Sequence, residues 1–468
     1  MNEGVVTVEW KEANVVALFK KSSKKSTNYY RPVSLTSICC KTFEKIIRNE
    51  IVKSMEDQGL LDKDQHGFLG GRSCNTQLLE VMEIWTKWID LGIPWDTIYT
   101  DFSKAFDSVP HKRLLNKLHA YGIRGNLLQW IKNFLSDRKQ RVVIGQETSG
   151  WRPVTSGIPQ GSVLGPVLFT IFINDMPKLV QSMMKLFADD AKIFKAIESV
   201  NDIETIQDDI NKLLQWSFIW QLPLNVPKCK ILHYGKNNPN HTYYMGNRPL
   251  ATDSSETDVG VTFDTQLSFK LHMRTMIAKA NSRVGLIKRS FSCLNKRNFL
   301  MLYKSLVRPI LEYCSAIWNP QHKYQEVEIE KVQERATKVV PSIRKLDYQD
   351  RLKALEITTL KYRRKRTDMI QVYRLLRGID KIDYTQFFTR SQSASRGHEW
   401  RLDKPRCNGS FRLHTFSHRV INDWNNLTND VVNAGEIVDF KIALESHWAK
   451  DPIKYNFGSR IKVETDSD

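Results

Sequence analysis

The sequence predicts a protein of the α+β class, and three features of its pattern lead to this expectation. Between about residues 28 and 264, short runs rich in β-branched and aromatic residues alternate with amphipathic helical patterns. From residue 265 to 388 the pattern becomes mostly helical. The composition is 41% hydrophobic and 26% charged, which allows the chain to bury a sizeable core.

The two ends of the chain are patterned differently from its middle. Residues 1–27 are weakly patterned and carry the basic run KKSSKK at 20–25, so we interpret them as a basic N-terminal remnant. Residues 389–468 begin with a polar segment typical of a linker and continue into a small C-terminal region. Trp424 and Trp448 are expected core anchors of that region.

Charge and cysteine content narrow the class of partner. The 468 residues include 70 Lys and Arg against 51 Asp and Glu, a formal charge of +19. This excess favours an anionic polymer as partner, because bound cations displace condensed counterions from nucleic acid. Seven cysteines without a C-x-x-C pair indicate reduced thiols, and we expect an intracellular protein of the nucleus, the cytoplasm or both. The apolar stretch at 163–173 is too short to cross a bilayer, so no membrane partner is expected.

The first acidic position that suggests chemistry is Asp101. Thr97 to Phe102 is rich in β-branched and aromatic residues and predicts a strand, and Pro110 then introduces a helix. A carboxylate at a strand end is held firmly at the edge of a cleft. On its own, however, Asp101 would be interpreted as an ordinary turn residue.

The second acidic position is the segment KLFADDAKIF at 185–194. Two apolar runs flank Ala-Asp-Asp, which predicts a hairpin with two acids at its tip. Because adjacent strand residues point to opposite faces, Asp189 and Asp190 cannot both face one ion. We expect Asp189 or Asp190 to be a direct ligand and the other to support it.

Together with Asp101, this pair would supply the acidic cluster that two-metal nucleotidyl transfer needs. That reaction must stabilise an attacking 3′-oxygen and a leaving pyrophosphate at once. Two hard cations about 3.5–4 Å apart do so, and they prefer carboxylate and phosphate oxygens.

A third segment, TSGIPQGSVLGPVLFTIFIND at 155–175, combines a rigid loop with an apolar helix. Three Gly and two Pro within 157–166 exclude a regular helix there, and the helix is expected from about Val167. Gln160 offers both a donor and an acceptor to a nucleotide. A Gly-Pro turn before a buried helix would explain the glycines without explaining the whole string.

These segments, with others, resemble the successive motifs of reverse transcriptases of non-LTR retrotransposons of the jockey and chicken-repeat type. The resemblance covers roughly residues 28–449, and the order and spacing of the motifs make it specific. The motifs are, in chain order, NYYRPVSL (28–35), QHGFLGGRS (65–73), YTDFSKAFDSVPH (99–111), SGIPQGSVLGPVLF (156–169), FADD (187–190), LNVPKCKIL (224–232) and DVGVTFD (258–264).

The resemblance implies a right-hand polymerase. Residues 28–264 would form the fingers and a palm with an antiparallel sheet, and 265–388 a helical thumb or connector. Asp101 and Asp189 match the metal-ligand aspartates, Asp190 matches the third acid, and the main-chain carbonyl of Phe102 would also contact a metal. The implied cofactor is two Mg²⁺ ions, with Mn²⁺ as a substitute.

The resemblance also implies roles in binding the incoming nucleotide. Phe106 matches the aromatic gate that excludes a ribose 2′-hydroxyl, and Gln160 matches the glutamine near the incoming sugar. Lys228 matches the basic residue that protonates the leaving pyrophosphate, although Pro223 and Pro227 make its approach more rigid than the family pattern suggests.

The resemblance also implies cations of the fingers that hold the triphosphate. Arg31 and Lys41 are the candidates, and Arg72 is a possible substitute. Farther along the chain, the basic run KYRRKR at 361–366 fits a nuclear localisation signal, a phosphate-binding strip or a solvated helix face, and its place in a thumb-like region favours phosphate contact.

The implied activity is RNA-directed DNA polymerisation, with an RNA template, a DNA primer or target and dNTPs as partners. Elements of this family normally carry an endonuclease before the polymerase, whereas 27 residues precede the first motif here. We therefore expect a truncated copy or a partial gene product whose missing N-terminal domain supplied the nuclease. Two alternatives stay open: an inactive product that only binds RNA or DNA, and an RNA-dependent RNA polymerase, against which Phe106 counts.

Overall fold

The structure is a computed structural model and describes residues 4–20, 23–291, 293–391 and 397–458. The chain divides into two compact units. The first comprises Met1–Ser73 and Pro94–Asp253, and the second comprises Cys74–Ile93 and Ser254–Asp468. The helix at 74–91 therefore belongs to the second unit although its neighbours in sequence belong to the first.

The strands are β1 Glu12–Phe19, β2 Tyr30–Leu35, β3 Trp95–Thr100, β4 Arg138–Ile144, β5 Glu147–Thr148, β6 Arg152–Val154, β7 Met183–Phe187, β8 Asp190–Ala196, β9 Lys230–Tyr234, β10 Tyr244–Met245, β11 Arg248–Pro249, β12 Ala251–Thr252, β13 Ser255–Asp258, β14 Val261–Asp264, β15 Thr389–Arg390 and β16 Leu402–Asp403.

The helices are α1 Val8–Lys11, α2 Ile38–Asp57, α3 Cys74–Leu91, α4 Ala105–Ser108, α5 His111–Ala120, α6 Gly125–Leu135, α7 Gly165–Ile173, α8 Val200–Trp220, α9 Lys270–Ser290, α10 Lys296–Leu302, α11 Arg308–Glu312, α12 Ser315–Trp318, α13 Lys323–Thr337, α14 Tyr348–Leu355, α15 Leu360–Leu376, α16 Ser410–Leu413, α17 Phe416–Asn425, α18 Asn429–Val432 and α19 Ile437–His447. A π-helical turn at Tyr303–Val307 joins α10 to α11.

The sheet that carries the acidic residues has the order β12-β9-β3-β8-β7. Its central strand, β3, is antiparallel to both β8 and β9, and five of its six residues are buried. This burial explains the near-continuous run of β-branched and aromatic residues in the sequence, since both faces of the strand are covered. The α+β prediction is confirmed, and the sheet is antiparallel apart from β12, which pairs parallel with β9.

A second sheet in the first unit has the order β2-β1-β4-β5, with β6 paired to β4. Its strand β1 pairs antiparallel with β2 and parallel with β4. This strand lies in the segment that the sequence left weakly patterned. Its burial alternates only over its first half, and that partial alternation is a weak signal for a strand.

The core beneath these sheets is built on α7, in which eight of nine residues are buried. The helix begins at Gly165, two residues before the expected start at Val167, and Pro166 stands in its first turn. Proline is tolerated there because the missing N–H would have no partner in the helix.

The second unit is mostly helical, as the sequence predicts for 265–388. The basic run at 361–366 lies in α15, and Arg364 is buried, with 4% of its surface exposed. The other four cations of the run form ion pairs: Lys361 with Glu326, Arg363 with Glu312, Lys365 with Asp451 and Arg366 with Glu445. These pairs correct the expectation of phosphate contact, because the charges hold α15 against neighbouring helices.

Among the helices that the structure describes, none is long and apolar enough to cross a membrane.

Candidate active site

Asp101 lies directly after β3, and its side chain is partly exposed. The strand ends at Thr100, one residue before Asp101, because the last residue pair with β8 joins Thr100 to Ala191. The Asp101 carbonyl accepts a hydrogen bond from the Asn225 amide at 2.7 Å. The Lys228 ammonium lies 3.2 Å from its carboxylate, so the structure brings these two predicted site residues together.

Asp189 lies in the turn between β7 and β8, and Asp190 is the first residue of β8, opposite Phe187. The hairpin prediction is thus confirmed. Ala188 opens the turn with a φ of 54°, a left-handed conformation that is uncommon for residues other than glycine. Asp189 is half-buried, whereas Asp190 is exposed at the start of the strand.

Asp189 and Asp101 are close enough to affect each other electrostatically. Burial, and after it the negative charge of Asp101, raises the pKa of Asp189. The positive charges of Arg31 and Lys20 oppose that rise. Two carboxylates that repel one another across a partly open site form an arrangement that a cation would stabilise.

The turn that carries Asp189 is supported by Gln65 and Gly67, two residues to which the sequence assigned no individual role. Gln65 is fully buried, and its side-chain oxygen accepts from the Gly67 amide at 2.6 Å and the Ala188 amide at 3.1 Å. A Cβ on Gly67 would lie 2.4 Å from the Ala188 nitrogen, so only glycine allows this approach. Both residues belong to the motif at 65–73, but the sequence could not show this contact because Ala188 lies more than a hundred positions away.

Phe106 lies in α4 with its ring stacked on Phe169, with ring centres 4.4 Å apart. The rings of Phe68 and Phe106 meet edge-on with their centres 6.3 Å apart, and Phe68 is 41% exposed with a φ of 62°. A bulky side chain with positive φ is an outlier that surrounding structure must hold in place. The gate candidate therefore has a second aromatic neighbour that the sequence did not indicate.

Gln160 lies in the loop before α7, and this loop is fastened on two sides. Its carbonyl accepts from the Ser34 amide of β2 at 2.7 Å, and the neighbouring Ile158 amide donates to the Phe106 carbonyl at 2.7 Å. A Cβ on Gly157, where φ is 85°, would lie 2.6 Å from the Asp107 carbonyl oxygen. A Cβ on Gly161, where φ is 113°, would likewise lie 2.5 Å from the Ser34 carbonyl oxygen, so close backbone approach explains Gly157 and Gly161.

The start of α7 depends on Glu44, a residue of α2 that sequence reasoning missed. Its carboxylate is fully buried and accepts from the backbone amides of Val163 and Leu164 at 2.7 and 2.9 Å. These amides lie at the N-terminal end of the helix and otherwise lack an intrahelical partner. The sequence around Glu44 does not indicate this contact, because its partners lie about 120 positions away.

The three expected triphosphate cations lie in different surroundings. Arg31 is exposed in β2 and acts electrostatically on Asp189. Lys41 is half-buried in the first turn of α2, where its charge acts on Cys40. Arg72 donates to the carbonyls of Asp62 and Gln65, each at 2.6 Å, and so fastens the segment beneath the hairpin.

The residues of this site fit a divalent cation in chemistry. In the described parts of the chain, no cluster of three or more His, Cys, Asp or Glu side chains meets the spacing of a metal site. Asp101 and Asp189 nevertheless supply two hard oxygen ligands. Phe102 forms a bridge to Leu224 in which its neighbours make the hydrogen bonds, so its own carbonyl points away from Leu224.

Comparison with known proteins places these features in one family. Residues 20–270 match the family described as "Reverse transcriptase (RNA-dependent DNA polymerase)". A "Probable RNA-directed DNA polymerase from transposon X-element" of Drosophila melanogaster is 28% identical over 66% of this chain and 35% of the relative. The "RNA-directed DNA polymerase from mobile element jockey" of Drosophila funebris is 27% identical over 65% of this chain and 35% of the relative.

The chain thus spans about a third of the length of these relatives. Among solved structures, an apo telomerase from Candida tropicalis matches with a TM-score of 0.42 and 10% identity, covering 74% of this chain and 62% of that one.

Proposed function

This chain belongs to the reverse transcriptase (RNA-dependent DNA polymerase) family, and we propose that it extends a primer 3′-hydroxyl with dNTPs on an RNA template. The observation that carries the proposal is the placement of Asp101 and Asp189. They flank the antiparallel pair of strands β3 and β8: Asp101 follows Thr100, and Asp189 stands two residues before Ala191, the partner of Thr100 in the ladder. The similarity to RNA-directed DNA polymerases of non-LTR elements supports the synthesis of DNA on an RNA template.

Polymerases of this family depend on divalent metal ions, and we propose Mg²⁺, with Mn²⁺ as a substitute. Asp101, Asp189 and the Phe102 carbonyl would hold the ions, and Asp190 would support them from the start of β8. When bound, the ions lower the pKa of the primer hydroxyl and offset the negative charge that develops on the phosphate.

The remaining site residues bind and orient the substrates. The Phe106 ring fills the space beside C2′ of the incoming sugar, and Gln160 lies on the loop fastened next to it. Lys228, which is exposed and paired with Asp101, is the proposed proton donor to the leaving pyrophosphate.

The exposed surface of α9 is basic, and this supports binding of a nucleic-acid backbone. The 21 residues of this helix include six cations and no acid. Within the described ranges, none of the six is recorded in an ion pair, and all are exposed: Lys270, Arg274, Lys279, Arg283, Lys288 and Arg289. Unpaired surface cations of this density gain affinity for phosphate by releasing counterions.

The proposal is tested by primer extension. Purified protein is given a primed RNA template, dNTPs and Mg²⁺, beside an Asp189→Ala variant and a sample with chelator. We expect the parent to extend the primer, and neither the variant nor the sample with chelator to do so. Adding Mn²⁺ in place of Mg²⁺ should restore extension by the parent. Retained template binding without any extension by the parent would leave a binding protein. Extension with rNTPs in preference to dNTPs would instead indicate an RNA polymerase.

The gate assignment gives a separate prediction. Replacing Phe106 by Val should raise the use of rNTPs relative to dNTPs by on the order of tenfold to a hundredfold, because the shorter side chain no longer contacts the 2′-hydroxyl. The ratio of kcat/KM for matched dNTP and rNTP measures this. Phe106→Tyr keeps the ring and should keep the selectivity, and equal selectivity in the Val variant would refute the assignment.

A further inference from the structure

The side chains of Asp107 and Gln160 are joined by a hydrogen bond that has no role in the reaction proposed above. The Gln160 amide nitrogen, Nε2, donates to Asp107 Oδ1 at 2.9 Å. Asp107 directly follows Phe106 in α4, and both partners are half-buried. The bond therefore links the loop before α7 to the helical turn that carries the gate candidate.

This bond fixes which end of the Gln160 amide faces outward. An ionised carboxylate only accepts hydrogen bonds, so the amide must turn its NH₂ group toward Asp107. Its oxygen, Oε1, is then left as an acceptor. In the part of the chain that the structure describes, no protein group is recorded as donating to that oxygen. A free acceptor beside the gate can bind a hydroxyl donor of a substrate.

We propose that Asp107 is a positioning residue that orients the Gln160 amide so that its oxygen accepts a hydrogen bond from the 3′-hydroxyl of the incoming nucleotide. A deoxyribose carries one free hydroxyl, at C3′, so this is the sugar donor that the acceptor can find. The inference rests on the proposed function. Without Asp107 the amide is free to rotate and to present its NH₂ group instead of its oxygen.

The rest of the loop keeps its place without this bond. The Ile158 amide bonds to the Phe106 carbonyl at 2.7 Å, and the Ser156 hydroxyl donates to the Asp107 carbonyl at 3.1 Å. His111 also contacts the Gly157 carbonyl at 2.7 Å. These contacts use the main chain at one or both ends, so a change of the Asp107 side chain separates amide orientation from loop position.

The test compares single incorporation of a dNTP with that of the matching 2′,3′-dideoxynucleotide, which lacks the 3′-hydroxyl. We expect the parent to prefer the dNTP and Asp107→Leu to lower the ratio of kcat/KM values about fivefold, the size of one net hydrogen bond. Asp107→Asn retains an oxygen that accepts from Gln160 Nε2 and should keep most of the preference. Ser156→Ala removes a bond to the same residue without touching the amide and should leave the ratio unchanged.

Two results would decide against the proposal. An unchanged ratio in an active Asp107→Leu variant overturns it, as does an equal fall in Ser156→Ala, which would show loop displacement. If the Leu variant does not fold, Asp107→Ala is measured in its place, because the smaller side chain cannot clash. A parent protein that incorporates neither nucleotide overturns the proposed function itself, which distinguishes the two failures.

Discussion

Asp101→Asn is expected to lower the rate of primer extension by on the order of 10³-fold or more, since loss of a charge that holds the metal ions removes several kcal/mol of transition-state stabilisation. The substitution keeps the size of the side chain and the backbone bond from Asn225 to the Asp101 carbonyl. Binding of a primed template should stay within a few-fold and keep its dependence on salt, because phosphate contacts elsewhere supply it.

Asp253 offers a matched control for this change. Asp253 pairs with Lys230 at 2.9 Å, and its side chain is 40% exposed, as is that of Asp101, which pairs with Lys228 at 3.2 Å. Asp253→Asn therefore removes an acid with the same exposure and a similar partner, away from the hairpin tip. We expect it to extend primers at the parental rate. If Asp101→Asn extended primers at a rate within tenfold of the parental rate, Asp101 would not be a ligand of the proposed metal site.

Much of the neighbourhood of Asp101 could be predicted from local pattern. The alternating and β-branched runs gave β3 and the β7–β8 hairpin because each strand signal lies within about ten residues. The start of β3 was placed two residues late and its end two residues late, because pairing with β8 sets those limits and depends on residues some 90 positions away. The metal-ion and gate assignments of Asp101, Asp189 and Phe106 stay predictions.

The features of the site that could not be predicted from the sequence are those that depend on contacts between distant positions. Glu44, Gln65 and Asp107 look like ordinary polar residues within a helix or a turn, and their partners lie tens to more than a hundred positions away. The basic run at 361–366 misled for the same reason. A cluster of cations in sequence shows charge but not the acids that other helices bring to it.

Glu44→Leu is expected to lower the free energy of unfolding by about 3–5 kcal/mol, because two backbone amides at the start of α7 lose a buried, charged acceptor. A second cost adds to the first. Arg138 is also buried, with 2% of its surface exposed; this burial lowers the pKa of its guanidinium, and the negative charge of Glu44 opposes the lowering. Removal of that charge leaves the guanidinium less well compensated in the core.

Urea unfolding followed by circular dichroism measures this effect, and two further variants calibrate it. Glu50 lies exposed on the same helix, so Glu50→Leu should change the free energy of unfolding by no more than about 0.5 kcal/mol. Glu44→Gln keeps one acceptor oxygen for the two amides but loses the charge, and it should fall between the parent and the Leu variant. Because Val163 and Leu164 follow the Gln160 loop, destabilisation at Glu44 should also reduce primer extension under native conditions. Equal stability of Glu44→Leu and Glu50→Leu would mean that α7 begins where it does without help from α2, and that the loop before it is positioned by its other contacts, among them those with Ser34 and Phe106.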